Sequence, residues 1–263
     1  MKFLALAVCL PALLAAQDAR EIARRAIDAE FASVLAGRNY NYVERQATKQ
    51  FNGSGKLEKF EAKTWDVTMV EGSPYRRLVG LNDKPLAAPD QNKEDEKLHW
   101  FTDQRHAENS DQRQLRIADW KHKQDKQREP LHEILDGFNF KLLPDETVNG
   151  RAVWLVEATP KPGYKPKSKS AFFFPKVRMR LWVDRQDFQA VKAEMELLDS
   201  VWWNGIVARL PKGDRLTYEL TRVDGNVWLP ERIRITGSAR VLFVKGFHGE
   251  IEIDYSNYKR VTP

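Results

Sequence analysis

Residues 177–197, VRMRLWVDRQDFQAVKAEMEL, restrict the fold more than any other stretch of the chain. Val177, Met179, Leu181 and Val183 alternate with Arg178, Arg180, Trp182 and Asp184. After the polar turn Asp184-Arg185-Gln186-Asp187, Val191, Ala193, Met195 and Leu197 alternate with Lys192, Glu194 and Glu196. A period of two sends the two sets to opposite sides of a strand, so the stretch reads as an antiparallel pair with one apolar and one charged face. An apolar sheet face has to be covered by a second layer.

The same alternation recurs elsewhere. Trp65, Val67 and Met69 alternate with Thr64, Asp66 and Thr68 in the second arm of a hairpin turned at Asn52-Gly53-Ser54-Gly55, where Asn and Gly accept positive φ. The run AVWLVEATP, then RLTYELTRV and VWLPERIRITG around Asp224-Gly225-Asn226, then RVLFVKGF and EIEIDYSNY continue the pattern, with Ile251, Ile253 and Tyr255 on one face. Strands at regular spacing with tight turns predict an antiparallel meander. Two helical segments are the expected covers. From Asp18 to about Ala36, Ile22, Ala26, Ile27, Phe31, Val34 and Leu35 recur at steps of three and four, and Pro130 opens PLHEILDGF with Leu131, Ile134, Leu135 and Phe138 on one side. From about 92 to 128 the chain is densely charged, with only Leu98, Trp100, Phe101, Leu115, Ile117 and Trp120 as sizeable apolar residues. This predicts one or two exposed helices touching the body along a narrow stripe. The expected fold class is mainly β (α+β), a strongly curved antiparallel sheet wrapping helices, in one domain over 17–263 with a charged helical insert at about 92–128.

The first sixteen residues, MKFLALAVCLPALLAA, place one lysine before an apolar run that ends in small residues, the layout of a secretory signal peptide cleaved near Ala16. The only cysteine, Cys9, lies inside this segment behind Val8, so no disulfide, thiolate metal site or cysteine nucleophile is expected in the exported chain. Charged residues make up 30% of the chain with both signs interspersed, and the net charge is +6. That balance suits a soluble protein near anionic surfaces and gives no reason to expect nucleic acid. His99, His106, His122, His132 and His248 are scattered without an HExxH pattern, and neither a Gly-x-Ser-x-Gly elbow nor a phosphate-binding glycine loop appears. The expectation is no catalytic residue, no metal and no cofactor.

Together with the signal peptide, the amphipathic helix, the early hairpin and the charged insert, the segments NGRAVWLVEATPKPGY and KVRMRLWVDRQDFQAVKAEMEL resemble the periplasmic lipoprotein-carrier superfamily, the LolA/LolB-like outer-membrane lipoprotein-sorting proteins. There, a strand ending in Trp-Val-Asp turns into one reading Val-Lys-Ala-Glu, as Leu181 to Asp184 and Val191 to Glu194 do here. The resemblance implies an unclosed half-barrel plugged by helices, periplasmic, with an apolar cavity that accepts acyl chains. It thus implies a non-enzymatic carrier or binding protein for a lipid or a lipoprotein acyl chain. The inward-alternating residues that such a cavity would recruit are Trp65, Val67, Met69, Trp154, Met179, Leu181, Met195, Leu197 and Ile253. A different reading makes the barrel structural and the protein an envelope sensor or scaffold that docks a protein partner through the charged insert.

Two features admit two readings each. In PKPGYKPKSKSAFFFPK, residues 160–176, Phe172, Phe173 and Phe174 either begin the next strand with one or two turned into the core, or dip into a membrane interface or close over the cavity mouth while Lys161, Lys165, Lys167 and Lys169 meet an anionic membrane surface. Trp182 alternates onto the face that carries Arg178 and Arg180, so either that face is partly covered or the indole is exposed.

Overall fold

The computed structural model describes residues 9–203, 208–225, 227–241 and 247–261. In chain order the elements are α1 (Cys9–Gly37), β1 (Tyr40–Phe51), β2 (Leu57–Val70), β3 (Ser73–Leu81), β4 (Lys84–Pro85), α2 (Ala88–His106) and α3 (Ser110–Arg128). A 3₁₀ turn (Glu129–Glu133), α4 (Ile134–Gly137), β5 (Phe138–Val148), β6 (Arg151–Pro160), β7 (Val177–Asp184) and β8 (Ala190–Leu197) follow. The chain ends with β9 (Val201–Trp203), β10 (Ala208–Leu210), β11 (Arg215–Val223), β12 (Val227–Val241) and β13 (Phe247–Arg260).

Neighbouring strands pair antiparallel in the order β4-β3-β2-β1-β13-β12-β11-β8-β7-β6-β5, with β9 and β10 as a side ribbon on β12. The first and last long strands meet in the middle, β1 against β13. At the two ends, β4 and β5 pair with one neighbour each, so the curved sheet is an unclosed half-barrel, the expected fold class. The covalent path between those edges is α2 and α3, so the charged insert carries the chain from one lip of the half-barrel to the other.

Register makes the two faces continuous. One row runs Phe140, Ala158, Met179, Met195, Leu216, Ile235, Ile251 and Thr48 across eight strands. The adjacent row on the opposite face runs Glu157, Arg180, Glu194, Thr217, Arg234 and Glu252. The charged face is laced by ion pairs, among them Arg178–Glu196 at 2.6 Å, Arg234–Glu252 at 2.6 Å and Arg232–Asp254 at 2.7 Å. Each such pair stabilises weakly. Their main consequence is a face that stays in water and so fixes which side turns inward.

On the inward face, α1 lies across β5–β8 and its C-terminal end reaches β12, where Gly37 abuts Leu229. Ala19, Ile22, Ala23 and Ala26 pack with Phe138, Phe140, Val156, Ala158, Val177 and Met179 into one buried core. Small residues on the helix let it sit close to the sheet. A second, smaller cluster forms on the charged face, where Trp182, Val153, Leu155, Val191, Leu220 and Trp228 are buried. Trp182 is covered there, its Nε1–H donates to Glu146 at 2.7 Å and the Lys192 ammonium sits 4.4 Å from its ring.

Two expectations are corrected in detail. The insert begins at Ala88 and forms two helices, with a capping box at Asn109 and Gln112 separating them. The 130s segment covers the core as expected, through Leu131, Ile134 and Leu135, but as a 3₁₀ turn and a single α turn that stop at Gly137, because Phe138 already pairs with Pro160 in the sheet. Residues 1–8 of the expected signal peptide and 242–246 of RVLFVKGF lie outside the described residues, and α1 runs unbroken through Ala16.

Candidate ligand-binding site

The insert is clamped to the β2–β3 turn by arginines. The Arg105 guanidinium donates to the carbonyls of Val70 at 2.7 Å, Ser73 at 2.6 Å and Pro74 at 3.3 Å, and stacks 3.9 Å from the Phe101 ring. Burial, aided by the neighbouring Arg116, pushes Arg105 down to about 10. It still carries its charge at neutral pH, and hydrogen bonds from a cation to turn carbonyls are strong. Arg116 adds donations to the Glu71 carbonyl at 2.9 Å and to Ser73 Oγ at 2.6 Å.

This anchoring places the two helices differently. Phe101 of α2 packs on Tyr75 at 4.4 Å, and Arg77 bonds both Asp66 and Asp95, so α2 lies on the charged side of β3. By contrast, α3 crosses to the inward side, where Ile117 abuts Gly72 and, with Trp120, faces Met69. Its far end returns to α1, where Arg38 donates to Gln124 at 2.8 Å and to Asp125 at 3.0 Å.

Between α3, the end of α1 and the end of β2 a cleft of about 1120 Å³ remains open. Leu35, Met69, Ile117, Trp120 and Val261 give it apolar walls, and Arg38, Lys121 and Arg260 give it a predominantly cationic rim that also includes Glu71, itself paired with Arg113. That volume lies just above the usual range of small-molecule sites, roughly 300–1,000 Å³. Leu35 stands out because 57% of it is exposed although it continues the apolar stripe that is buried at Ile22 and Ala26. The helix leaves the core there, and its stripe faces the cleft.

The nine residues assigned to a cavity from the sequence, Trp65, Val67, Met69, Trp154, Met179, Leu181, Met195, Leu197 and Ile253, all occupy the inward face by register. They do not share one space. Trp154, Met179, Leu181, Met195 and Leu197 belong to the core sealed by α1. Met69 lines the cleft. Trp65 lies under the Arg76 guanidinium at 4.2 Å, and Ile253 sits half-buried beside Ile233. Leu35, Ile117 and Trp120 complete the cleft and were missed as lining residues. Their signal in the sequence was the apolar stripe of α1 and the three-residue step from Ile117 to Trp120.

The lysine- and phenylalanine-rich segment packs away from the cleft. Phe174 is 2% exposed and meets Phe138 edge-on at 5.0 Å, with Phe173 and Phe172 half-buried behind it at successive edge contacts. Lys165, Lys167 and Lys169 are exposed, and Lys167 pairs with Asp136 at 2.8 Å. The segment is pinned by Glu133, whose carboxylate accepts from Tyr164 Oη at 2.7 Å and from the backbone N–H of Lys167 at 2.7 Å and Ser168 at 2.6 Å. Burial opposes the charge, but these donations prevail and hold Glu133 down at about 2.

No family model matches the chain, and no curated protein matches it. Solved structures do resemble it. They include a DUF1329 family protein from Desulfovibrio piger, at 14% identity and a TM-score of 0.32 over 94% of this chain and 93% of that one. A putative outer membrane lipoprotein-sorting protein domain from Vibrio parahaemolyticus is similar at 13% identity and a TM-score of 0.38, over 91% and 94% of the two chains. A LolA superfamily protein from Nitrosomonas europaea is similar at 12% and 0.32, over 93% and 94%. The last of these carries the LolA superfamily name. At such scores the functional reading has to rest on the geometry of this chain.

Proposed function

We propose that the protein is a non-enzymatic, exported binding protein or carrier for an apolar chain, a lipid or a lipoprotein acyl group, held in the cleft under α3. The observation that carries this is the cleft itself, apolar at Leu35, Met69, Ile117 and Trp120 and cationic at its rim. Each methylene moved from water onto such walls gains about 0.8 kcal/mol. The cations at the rim would meet an anionic headgroup or membrane surface. Leu35→Glu is the cleanest test, because a side chain 57% exposed contributes little to folding. Displacement of a polarity-sensitive fluorescent fatty acid should weaken at least about tenfold in this variant with an unchanged melting temperature, ten-fold being about 1.4 kcal/mol or fewer than two methylenes' worth of contact. Equal affinity in the two proteins would remove the cleft from the account.

A protein partner on the insert is the second reading, favoured by Trp100 and Leu115, which are 63% and 71% exposed on otherwise charged helices. Exposed aromatic anchors of this type concentrate binding energy at protein interfaces. Trp100→Ala with Leu115→Ala should leave fatty-acid binding intact, which separates the two readings.

A further inference from the structure

A second pocket, of about 240 Å³, lies between α1, the C-terminal end of α3 and the sheet. Tyr42, Tyr218, Tyr255 and Tyr258 line it from the sheet, Glu30 from α1 and Arg128 from α3. The rings form a group, Tyr42 lying 5.8 Å from Tyr255 and 5.6 Å from Tyr258. Glu30 accepts only long hydrogen bonds, from Gln189 at 3.2 Å and from Tyr218 Oη at 3.4 Å. The Arg128 guanidinium donates to the Gln124 carbonyl at 3.0 Å. Among the described residues neither Glu30 nor Arg128 enters a salt bridge, so a carboxyl group and a guanidinium share one small cavity and act on each other only across a gap.

A simple anion in this space would face Glu30, and a simple cation would face Arg128. An acyl chain would face tyrosine hydroxyls in a volume below that of ordinary ligand sites. A ligand that carries both charges has a partner for each. Aromatic faces attract an ammonium group, and a guanidinium fork matches phosphate oxygens. We infer that this pocket binds a zwitterionic phospho-amine headgroup, with its ammonium at Glu30 and the tyrosine rings and its phosphate at Arg128. Burial raises the Glu30 carboxyl above its ordinary value although the Arg128 charge opposes this, and an ammonium partner beside it would favour the ionised form. The pocket is a site of its own. As the headgroup position of a lipid whose chain lies in the cleft, it also rests on the function proposed above.

Calorimetric titration with three probes separates the two ideas: glycerophosphoethanolamine, which has no chain, and lysophosphatidylethanolamine and lysophosphatidylglycerol with the same chain. The native protein should bind the zwitterionic lysolipid at least about tenfold more tightly than the glycerol one, and should bind the chain-free headgroup weakly. Glu30→Gln should bring the two lysolipids within about twofold of each other while leaving lysophosphatidylglycerol binding unchanged, whereas Arg128→Gln, which removes the phosphate partner, should weaken both the zwitterionic lysolipid and the chain-free headgroup about tenfold. Arg128 ends α3, so its variant tests the pocket even if Glu30→Gln alters folding. Equal native affinity for both lysolipids overturns the inference and leaves the apolar cleft standing. Binding of the chain-free headgroup but of neither lysolipid upholds the inference and removes the cleft. Binding of neither zwitterion overturns the inference.

Discussion

The two halves of the sheet are written in the same alternation and finished in opposite ways. Across β5–β8 the inward face is closed by α1, whose alanines and Ile22 bring the helix down onto Phe138, Val156 and Met179. Across β1, β2, β12 and β13 the inward face carries Ile233, Ile251 and Ile253, all half-buried, and Ile235, 38% exposed; α1 reaches only β12, and beside Met69, Tyr42, Tyr255 and Tyr258 α3 spans the face at a distance that leaves a cleft and a pocket. The sealed half supplies stability and the spanned half supplies space. Their carboxyl groups differ in the same sense: Glu133 is satisfied by three donors and held down at about 2, whereas burial raises Glu30.

The largest expected effect breaks the comparison at the core. Phe174→Ala should cost about 3–5 kcal/mol in denaturant unfolding, as large-to-small changes at fully buried aromatics do. Ile253→Ala in the spanned half should cost only about 1 kcal/mol, since the lost carbons count for about 0.8 kcal/mol each and solvent already reaches part of the side chain. Similar costs at the two sites would mean that the spanned half is packed as tightly as the sealed one.

Acid sharpens the contrast between the two carboxyl groups. The folded-state value of Glu133 is depressed, so its contribution is fully present above the ordinary value of 4.5 and is lost as pH falls from there to about 2. Glu133→Gln should therefore be less stable at neutral pH and lose less on acidification across that window. Glu30 has the reverse sign. Its raised value means that ionisation disfavours the folded state as pH rises through the carboxylate range, so Glu30→Gln should melt slightly higher than the native protein at neutral pH, with the gain vanishing in acid. This smallest effect is read from melting temperatures of the ligand-free protein at a series of pH values.

The sheet was legible because alternation is local and register propagates it. Once Met179 and Met195 face inward, pairing carries Leu216, Ile235 and Ile251 to the same side. What stayed hidden was nonlocal. Pairing of β1 with β13 has no local signal, and without it nothing in the sequence says that the insert must travel between the two sheet edges. The insert's charge hid its docking as well, because Arg105 and Arg116 bind turn carbonyls that a residue string does not display. Consequently five of the nine expected cavity residues pack in the core, and the cleft drew Leu35, Ile117 and Trp120 from helices. The phenylalanine run was legible in one respect only, that an aromatic such as Phe174 before a strand turns inward.

The central claim, that the spanned half holds an apolar chain, is tested most directly by native mass spectrometry of the protein purified without detergent, followed by analysis of an organic extract. The account expects a lipid bound at near one per protein, released on unfolding and reduced in Leu35→Glu. An empty protein whose melting temperature fatty acids and lysophospholipids leave unchanged would contradict it.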